Sequence, residues 1–510
     1  MAKSLVELRV IDSVNEMNAD GILFVCPVDA KDPPKLEMAI KKWPKWISDD
    51  VAALARKRKT EPKSGTFIAV DGSDGLRKTV LFLDKDIKPF EALSAFRKCV
   101  DAAIFEAKVS RLVVDLRLVG TKTSVIADAA VSAATAKLYK FPKYSVAKKA
   151  VGASSKSDEE KLQIGVIADG RHEDTAEAAG ARALHVTSLG TNLVRWLAKR
   201  AGNDLTCKNY VAYLKALAKE RRWSLKIHGE QALRKMNAGA FLSVVRGSAH
   251  KDFGIVELTY TPRKKASRHL ALVGKGMVFD TGGHCLKPAA YMLGMHGDMA
   301  GSAVALGILN VAAAEQWPVK ITAYLAVADN MIGPLSYKPN DVVTSMKGTT
   351  IEIIDTDAEG RMVLADTLFF ASRQKPDLIM DFATLTGACI RAIGTTYSGV
   401  FTNRDDLHQA LIKAGVESGE RVWPFPMDKD FAECLESTVA DLKQCREKGG
   451  VDHIEAAHFL RHFAGDDSPW VHVDLAAIEH AGGLGHVASD ETGFGVRFAT
   501  TFARGFFGIK

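Results

Sequence analysis

Two patterns of hydrophobic positions divide the chain. In residues 1–175, short apolar runs alternate with segments of helical periodicity. Strands that alternate with helices are typical of an α/β domain with a parallel or mixed sheet. The predicted strands are 5–11, Gly21–Val28, 79–85, 111–118 and 163–169. The polar segment 151–161 predicts an exposed loop within this domain.

The pattern changes after a helix-rich stretch at 176–222, which predicts a linker. From Trp223 onward, the apolar runs are longer and nearly continuous, as expected for strands that are buried on both faces. These runs are 253–260, 269–283, 319–329, 377–388 and 470–478, and the helical patterns among them are 300–315, 361–373 and 452–463. We therefore predict an α/β fold with two domains, 1–175 and a larger one at 223–510, each with a central mixed sheet flanked by helices.

Composition excludes several classes of protein. The chain has 510 residues, of which 47% are hydrophobic, and a formal net charge of +7. This excess is small for a dedicated nucleic-acid-binding protein and argues against that class. Seven cysteines without a CxxC pair predict reduced thiols. The sequence shows no secretory h-region and no run of about 18 uncharged apolar residues, so we expect a cytoplasmic protein that does not span a membrane.

The first segment with concentrated chemistry spans residues 272–303. The pattern predicts a buried strand at 270–273 and then a glycine-rich loop that carries Lys275, Asp280, Lys287 and Asp298. Taken singly, each of these residues has an ordinary interpretation as a solvated lysine or an aspartate that forms a turn. The segment lacks the GxxxxGK[ST] spacing of a phosphate-binding loop.

The second such segment is 351–368. An apolar strand there ends in Asp355, Asp357 and Glu359, before a predicted helix that starts at Arg361. Asp357 and Glu359 are two residues apart, so in an extended conformation they share a face and can hold one cation. An acidic helix start is also favoured by the helix dipole, and Asp355 could serve as an N-cap.

Both acidic segments follow apolar strands, and α/β folds place their ligands at the carboxyl ends of such strands. Four carboxylates in one cleft would be costly without positive charge beside them. A pair of divalent cations supplies that charge, and Zn²⁺, Mn²⁺ and Mg²⁺ all accept oxygen ligands. The sequence therefore predicts a hydrolytic centre with two metal ions.

These motifs resemble those of the leucine aminopeptidases, also called cytosol aminopeptidases, which are dizinc exopeptidases. The resemblance rests on GKGMVFDTGG at 274–283, LKP at 286–288, DMAGSA at 298–303 and DTDAEGR at 355–361. It implies a metal-dependent aminopeptidase that removes N-terminal Leu and other apolar residues from short peptides. It also implies a homohexamer, in which the N-terminal domain serves assembly or access.

The resemblance also assigns metal ligands. It implies that the tighter metal is held by Lys275, Asp280, Asp298 and Glu359. The more exchangeable metal would be held by Asp280, Asp357 and Glu359. Lys275 would bind as a neutral amine, because an adjacent dication depresses its pKa.

The resemblance further implies a mechanism. A hydroxide that bridges both metals would attack the scissile carbonyl while the free α-amine of the substrate binds one metal. Lys287 would stabilise the developing oxyanion. Arg361 would hold a bicarbonate ion that shuttles protons, with support from Leu385.

A specificity pocket is implied as well, with an apolar lining suited to Leu or Met side chains. Its walls would be Met295, Thr384, Gly387 and Ala476. For Met295 the ordinary alternative is core packing. The chain departs from the family pattern at Asp355, which stands where Asn is usual, at Cys285, and at Glu479, which puts strict leucine preference in question.

Two other functions stay open at this stage. Basic segments at 55–63 and 143–150 suggest a nucleic-acid-binding role, although the pattern favours solvated helix and loop faces as their explanation. A two-metal phosphatase or nuclease shares the ion chemistry, but the motifs offer no cation for phosphate beyond Lys287 and Arg361.

Overall fold

The computed structural model describes residues 6–11, 13–44, 47–144, 162–167, 175–263 and 266–509. The chain forms two compact units. The first comprises Met1–Ser188, Val416–Gly419 and Gly482–Asp490, and the second comprises Leu189–Gly415, Glu420–Ala481 and Glu491–Lys510. The boundary thus falls within the helix Thr175–Ala198, whereas the sequence pattern suggested a separate linker at 176–222. The second unit is the larger, as expected.

The first unit is built on a six-stranded sheet. Its elements in chain order are β1 (Val6–Val10), β2 (Gly21–Val28), α1 (Leu36–Ile40), α2 (Ser48–Lys57), β3 (Phe67–Asp71), β4 (Arg77–Asp84), α3 (Pro89–Val100), β5 (Arg111–Asp115), α4 (Thr123–Leu138), β6 (Leu162–Ile167) and α5 (Thr175–Ala198), the last of which continues into the second unit. The strand order is β1-β6-β5-β2-β4-β3, and every pair is parallel except β3 with β4. The predicted loop at 151–161 lies outside the described residues.

Alternation along β2 explains why helices cover both faces of this sheet. Leu23 and Val25 belong to one apolar core, and Phe24 and Cys26 belong to a second one. Successive side chains of a strand point to opposite faces, so a strand that is apolar throughout needs cover on both. Helices α3 and α4 pack in the first core, and α2 contributes Val51 to the second.

The second unit contains an eight-stranded mixed sheet. Its elements are α6 (Cys207–Arg221), β7 (Ser224–His228), α7 (Glu230–Lys235), α8 (Gly239–Val244), β8 (Gly254–Tyr260), β9 (His269–Asp280), α9 (Ala289–Met292), α10 (Ala300–Ala314), β10 (Lys320–Asn330), β11 (Val342–Thr344), β12 (Thr350–Glu352), α11 (Glu359–Ser372), β13 (Leu378–Ala383), α12 (Gly387–Ile393), β14 (Ser398–Thr402), α13 (His408–Ser418), β15 (Val422–Pro424), β16 (Leu442–Lys443), α14 (Asp452–Ala464), β17 (Trp470–Asp474) and α15 (Val496–Phe507). The sheet order is β15-β14-β17-β13-β9-β10-β8-β7, while β11, β12 and β16 form a small separate sheet.

The four central strands of this sheet are parallel, and they position the site. Strands β17, β13, β9 and β10 run in the same direction, so their carboxyl ends meet at one edge. The strand predicted at 270–273 continues to Asp280, because β10 pairs with β9 as far as the pair Asn330 and Asp280. The placement of Lys275 in a loop was therefore wrong: this residue lies within β9, opposite Ala326.

The predicted helices of the second unit are present as α10, α11 and α14, and the α/β fold with flanking helices is confirmed. Close packing of α10 on β9 and β13 depends on small residues. A Cβ at Gly274 would come within 2.5 Å of Ser302 Cα, and one at Gly301 within 2.1 Å of the Phe382 carbonyl oxygen. By length and composition, part of the segment Ala289–Ala314 is apolar enough to cross a membrane. However, 83% of that part is buried within the protein, as in a core helix.

Candidate metal centre

Acidic residues from three elements meet at the carboxyl edge of the central sheet. Asp280 ends β9, Asp357 lies in the turn after β12, and Glu359 is the first residue of α11. Each offers one carboxylate oxygen, and these three atoms all lie within 4.8 Å of one another. Asp280 and Glu359 are buried, and Asp357 is half-buried. Such a cluster of oxygens matches the ligands of a hard or borderline divalent cation.

Lys275 connects this cluster to Asp298. Its Nζ lies 2.8 Å from Asp298 Oδ2 and 2.9 Å from Glu359 Oε1, and it donates a hydrogen bond of 3.0 Å to the Thr384 carbonyl oxygen. Only 3% of Lys275 is exposed. The side chain passes Gly360 closely, since a Cβ at that glycine would come within 2.7 Å of Lys275 Cε. Glycine at 360 therefore makes room for the lysine.

Lys287 occupies the open side of the same cluster. Its Nζ lies 2.9 Å from Asp280 Oδ2 and 2.5 Å from Asp357 Oδ1. Lys287 is less buried than Lys275, with a side-chain exposure of 13% against 4%. The structure thus places one lysine deep in the cluster and the other towards the side from which a substrate can approach.

The pKa values of these groups show how crowded the charges are. Burial, with the neighbouring Asp280 carboxylate, raises the pKa of Glu359 to about 8. Burial likewise raises the pKa of Asp357 to about 6, against the lowering effect of Lys287. Burial would lower the pKa of Lys275, but the carboxylates of Asp298, Glu359 and Asp280 raise it instead. Without added positive charge, the acidic groups resist full ionisation.

The residues fit divalent-cation binding. Glu359 Oε2 is buried, and no hydrogen bond to it is formed by the described residues. A buried carboxylate oxygen without a donor is costly, and a metal ion satisfies it. The ligand atoms comprise carboxylate oxygens and one amine, a donor set that Zn²⁺ and Mn²⁺ both accept. Of the five metal-site residues predicted from the sequence, Asp280, Asp357 and Glu359 lie close together, and Lys275 connects Asp298 to Glu359.

The backbone around Asp357 differs from the extended conformation predicted for it. Residues 355–358 form a turn in which the Asp357 N–H donates to Asp355 Oδ1 at 2.8 Å and the Ala358 N–H donates to the Asp355 carbonyl oxygen. The helix begins at Glu359, two residues earlier than predicted, and Ala358 is its N-cap. Asp357 and Glu359 converge because a turn and a helix start bring them together, and the prediction of a shared strand face was wrong.

Arg361 lies behind the cluster on α11 and is 2% exposed. Its guanidinium donates a hydrogen bond of 3.2 Å to the Gln444 carbonyl oxygen and one of 2.7 Å to Asp452 Oδ1. Its Nε–H is buried, and the described residues offer it no acceptor. Asp452 and Glu359 both raise the pKa of Arg361 against the lowering effect of burial. The guanidinium is therefore charged and still has an N–H donor to offer.

The loop after β13 carries three further predicted residues. Thr384 Oγ1 donates to Asp298 Oδ1 at 2.6 Å, so it belongs to the cluster directly. Leu385 is half-buried, and its N–H donates to Asp474 Oδ1 at 3.2 Å. Gly387 is exposed at the start of α12. Asp474, at the carboxyl end of β17, also accepts from the Thr386 hydroxyl at 2.7 Å and so fixes the course of this loop.

The other predicted pocket residues are placed by different elements. Met295 is half-buried in a short 3-10 turn, Met295–Gly297, just before Asp298. Ala476 is 5% exposed and follows β17. Glu479 is exposed and forms an isolated bridge with Glu491. Residues 57–59 of the basic segment 55–63 are exposed at the end of α2, and residues 145–150 of the other basic segment lie outside the described residues.

Comparison with known proteins identifies the second unit. The catalytic-domain model of the cytosol aminopeptidase family matches residues 192–500. The chain is also 31% identical over 507 residues to a probable cytosol aminopeptidase of Chloroherpeton thalassium, an alignment that spans 97% of this chain and 98% of that protein. The chain belongs to the cytosol aminopeptidase family.

Other members of the family agree with this assignment. A probable cytosol aminopeptidase of Phytoplasma australiense is 36% identical over 63% of this chain and 65% of that protein, and one of Chlorobaculum tepidum is 37% identical over 62% of each. The chain thus spans just under two thirds of these two relatives. Membership of the family confirms the predicted enzyme class, a metal-dependent aminopeptidase.

Solved structures of similar proteins cover almost the whole chain. A mutant of tomato leucine aminopeptidase superposes with a TM-score of 0.81 at 25% identity over 98% of this chain and 96% of that one. The bottromycin maturation enzyme BotP in complex with Mn superposes with a TM-score of 0.78 at 28% identity over 96% of this chain and 99% of that one. The aminopeptidase fold therefore extends through both units.

Sequence reasoning missed three residues that hold this aminopeptidase site in place: Asn330, Gln444 and Asp474. Each is at most 1% exposed and hydrogen-bonded to a segment that carries a metal-site residue or a predicted pocket residue. Asn330 and Asp474 end buried strands, and polar residues at strand ends were a usable indication. Gln444 lies in a segment without a motif and could be recognised only in the tertiary structure.

Proposed function

We propose that the protein binds two divalent cations and removes N-terminal residues, with Leu and other apolar residues preferred, from short peptides. The observation that carries this proposal is the convergence of four carboxylates and two lysines at the carboxyl edge of the sheet. This edge is where α/β folds bind their ligands. Membership of the cytosol aminopeptidase family supports the reaction class.

The ligands are proposed to divide between two cation positions. Lys275, Asp280, Asp298 and Glu359 hold the tighter cation. Asp280, Asp357 and Glu359 hold the exchangeable one. The contacts support this division, because Lys275 already touches Asp298 and Glu359, whereas the less buried Asp357 lies on the open side. Zn²⁺, Mn²⁺ and Mg²⁺ all suit these donors, and the Mn complex of BotP favours Mn²⁺ as a first choice for assays.

When bound, the cations supply Lewis acidity towards the peptide carbonyl and lower the pKa of a water molecule. Lys275 then serves as a neutral amine, because a dication beside it lowers the pKa of its ammonium group. Lys287 stays protonated and donates to the oxyanion that develops on the scissile carbonyl. A preorganised donor of this kind contributes roughly 3–4 kcal/mol to transition-state stabilisation.

Arg361 is proposed to hold a bicarbonate ion, with support from the backbone at Leu385, and the bicarbonate would move protons in place of a side-chain base. The buried Nε–H of Arg361 supports this idea, because it lacks an acceptor among the described residues. The contact with Asp452 adds a condition: bicarbonate must share the guanidinium with this carboxylate. Anion binding should therefore be weaker than at an unpaired arginine.

Substitution of Asp452 tests this sharing. In Asp452→Asn the guanidinium loses its ionic partner, so we expect half-maximal stimulation at a bicarbonate concentration about tenfold lower than in the wild type, as for one charge-assisted hydrogen bond. The measurement is leucine amide hydrolysis in CO₂-depleted buffer over a bicarbonate series. An unchanged bicarbonate dependence in this variant, or a wild type indifferent to bicarbonate, contradicts the anion site.

The side-chain pocket is proposed to consist of Met295, Thr384, Gly387 and Ala476. Thr384 supports this proposal best, because it contacts Asp298 and so lies at the edge of the cation cluster. Ala476 and Met295 offer apolar walls. A panel of amino-acid amides measures the preference: Leu and Met should be hydrolysed faster than Asp or Lys.

Assembly and location are proposed from the same family relationship. In a homohexamer, the N-terminal domain predicted at 1–175 and the linker predicted at 176–222 would serve assembly. They would also control access to the catalytic domain at 223–510. Sedimentation velocity measures the mass directly. A cytoplasmic location is supported by the seven cysteines, all of them free thiols.

Two substitutions test the catalytic proposal. We expect Lys287→Ala to lower kcat for leucine amide by about 10²–10³, the loss typical of an oxyanion donor, while two metals stay bound. Asp357→Ala should lower activity and also remove the exchangeable metal. Hydrolysis rates and metal content by mass spectrometry are the measurements. Undiminished turnover in both variants would refute the proposed mechanism.

A further inference from the structure

Two buried side-chain amides hold the segments that carry the carboxylates. Gln444 is fully buried and follows β16. Its Oε1 accepts the N–H groups of Ile354 at 3.2 Å and Asp355 at 3.1 Å, and its Nε2 donates to the Ala358 carbonyl oxygen at 3.0 Å. One side chain thus ties together both ends of the loop 354–358. Asp357 lies inside that loop.

The main chain of Gln444 strengthens this attachment. Its N–H donates to the Glu352 carbonyl oxygen at 2.9 Å, and its own carbonyl oxygen accepts from Arg361 at 3.2 Å. Residue 444 is therefore anchored to β12 before the loop and to α11 after it. The side-chain amide has little freedom to move, so its three hydrogen bonds fix the width of the loop.

Asn330 holds the other side of the cluster. It is 1% exposed and ends β10. Its Nδ2 donates to Asp280 Oδ1 at 2.8 Å and to the Thr356 carbonyl oxygen at 3.0 Å, so one amide joins β9 to the loop 354–358. The Tyr337 hydroxyl donates to the same Thr356 oxygen at 2.9 Å. A hydrogen bond to one oxygen of Asp280 leaves its other oxygen, Oδ2, aimed towards the cluster and Lys287.

The chemistry explains why amides occupy both positions. Each side chain must donate to a carbonyl oxygen, and a carboxylate cannot donate. A fifth or sixth acid here would also add negative charge to a cluster whose pKa values are already raised. Donors that orient ligating carboxylates control metal affinity strongly in proteins generally.

We propose that Gln444 and Asn330 are positioning residues for the two cations and that they act on different ones. Among the described residues, the side-chain amide of Gln444 bonds to the loop 354–358 around Asp357, so we expect this amide to control the exchangeable cation. The position of Glu359 does not depend on this loop alone, because Glu359 lies in α11 and buried residues such as Met362 and Leu364 anchor that helix. Asn330 contacts Asp280, which serves both positions, so it controls both. This inference rests on the ligand division in the proposed function.

The experiment measures metal binding by calorimetry in the full-length protein after chelation, with Mn²⁺ as the probe. Gln444→Met keeps the shape but has neither donor nor strong acceptor, and Gln444→Glu keeps the acceptor and loses the donor. In both we expect the tighter Mn²⁺ to bind as in the wild type and the second to bind about 10–100-fold more weakly. Asn330→Asp should weaken both by similar factors. The matched controls are Gln374→Glu and Asn237→Asp, which make the same changes at exposed positions and should bind both ions normally.

The melting temperature of the metal-free protein separates positioning from general stability. If Gln444→Met binds both Mn²⁺ ions with wild-type affinity, the proposal is overturned. It is also overturned if the variant loses both ions to the same extent and its metal-free form melts well below the wild type. A wild type that binds fewer than two Mn²⁺ and does not hydrolyse leucine amide overturns the proposed function itself, and the inference with it.

Discussion

At the scale of single residues, the site depends on how two lysines are placed among four carboxylates. Lys275 is nearly inaccessible and reaches its partners from within a strand, whereas Lys287 enters from the open side. The difference in burial separates a residue suited to hold a cation from one suited to meet substrate. Gly360 determines the first placement, because any larger residue would contact the lysine side chain.

Gly360→Ala tests that placement. Its new Cβ would lie 2.7–2.8 Å from Lys275 Cε and Nζ, so the lysine must move away from Asp298 and Glu359. We expect a fall of about 10–100-fold in activity and in affinity for the tighter Mn²⁺, since small displacements of site groups carry penalties of that size. Calorimetry and the leucine amide assay measure both.

Gly505→Ala provides the control for this change. Gly505 lies in α15, and a Cβ added to it would meet nothing within 4 Å. Alanine there should raise the free energy of unfolding by up to about 1 kcal/mol and leave activity alone. If Gly360→Ala behaves like Gly505→Ala in the activity assay, steric protection of Lys275 is not the reason for the glycine.

At the scale of elements, buried acids also support helices away from the site. Glu420 Oε2 accepts the N–H groups of Gly495 and Phe498 at 2.8 Å each, at the start of α15. These are helix N-terminal donors that would otherwise lack partners. Burial raises the pKa of Glu420 to about 7, although the backbone donors and Arg497 lower it. The helix cap therefore titrates near neutral pH.

Glu420→Gln tests this cap through its pH dependence. The folded-state pKa of about 7 exceeds the ordinary glutamate value of 4.5, so the stability that the neutral form contributes is complete below about pH 4.5 and is lost as the pH rises through 7. Glutamine can accept both N–H groups and does not titrate. Chemical denaturation from pH 5 to 8 should show the variant gaining stability relative to the wild type as pH rises. A difference between the two proteins that is independent of pH contradicts the shifted pKa.

Elements also show where sequence patterns succeed. The helices α10, α11 and α14 were predicted to within two residues at each end, because an amphipathic or buried helix repeats its apolar positions over several turns. The strands β3, β7 and β14 were missed, although β1, β5 and β17 have the same length of five residues and were predicted. The end of β9 was missed because glycine and lysine interrupt its apolar run, while pairing with β10 keeps it extended.

At the scale of the whole molecule, the distribution of charge differs from its sum. The net charge of +7 is mild, yet the carboxyl edge of the central sheet concentrates acidic groups that need cations. The excess of lysine and arginine therefore belongs to other surfaces, such as the exposed end of α2. The net charge therefore predicted neither the site nor its ligand. Only the local arrangement of acidic residues points to a cation site.

The division into two units also escapes local patterns. Short stretches at 416–419 and 482–490 belong to the first unit although they lie within the second half of the chain. Hydrophobic periodicity describes each segment and its neighbours in sequence. It contains no information on which distant segment will pack against which, so it predicted continuous domains.

The sequence by itself indicated the enzyme class and the α/β fold and proposed five residues for the metal site, because these residues lie in short motifs of unusual composition beside recognisable strands. The tertiary structure alone decided how those residues are held. Gln444 is 89 positions from Asp355 and Asn330 is 50 positions from Asp280, the residues that they contact, and nothing in the segment of Gln444 marks it. Ligands must carry particular chemical groups and so leave a trace in sequence, whereas any buried amide at the right distance can position them.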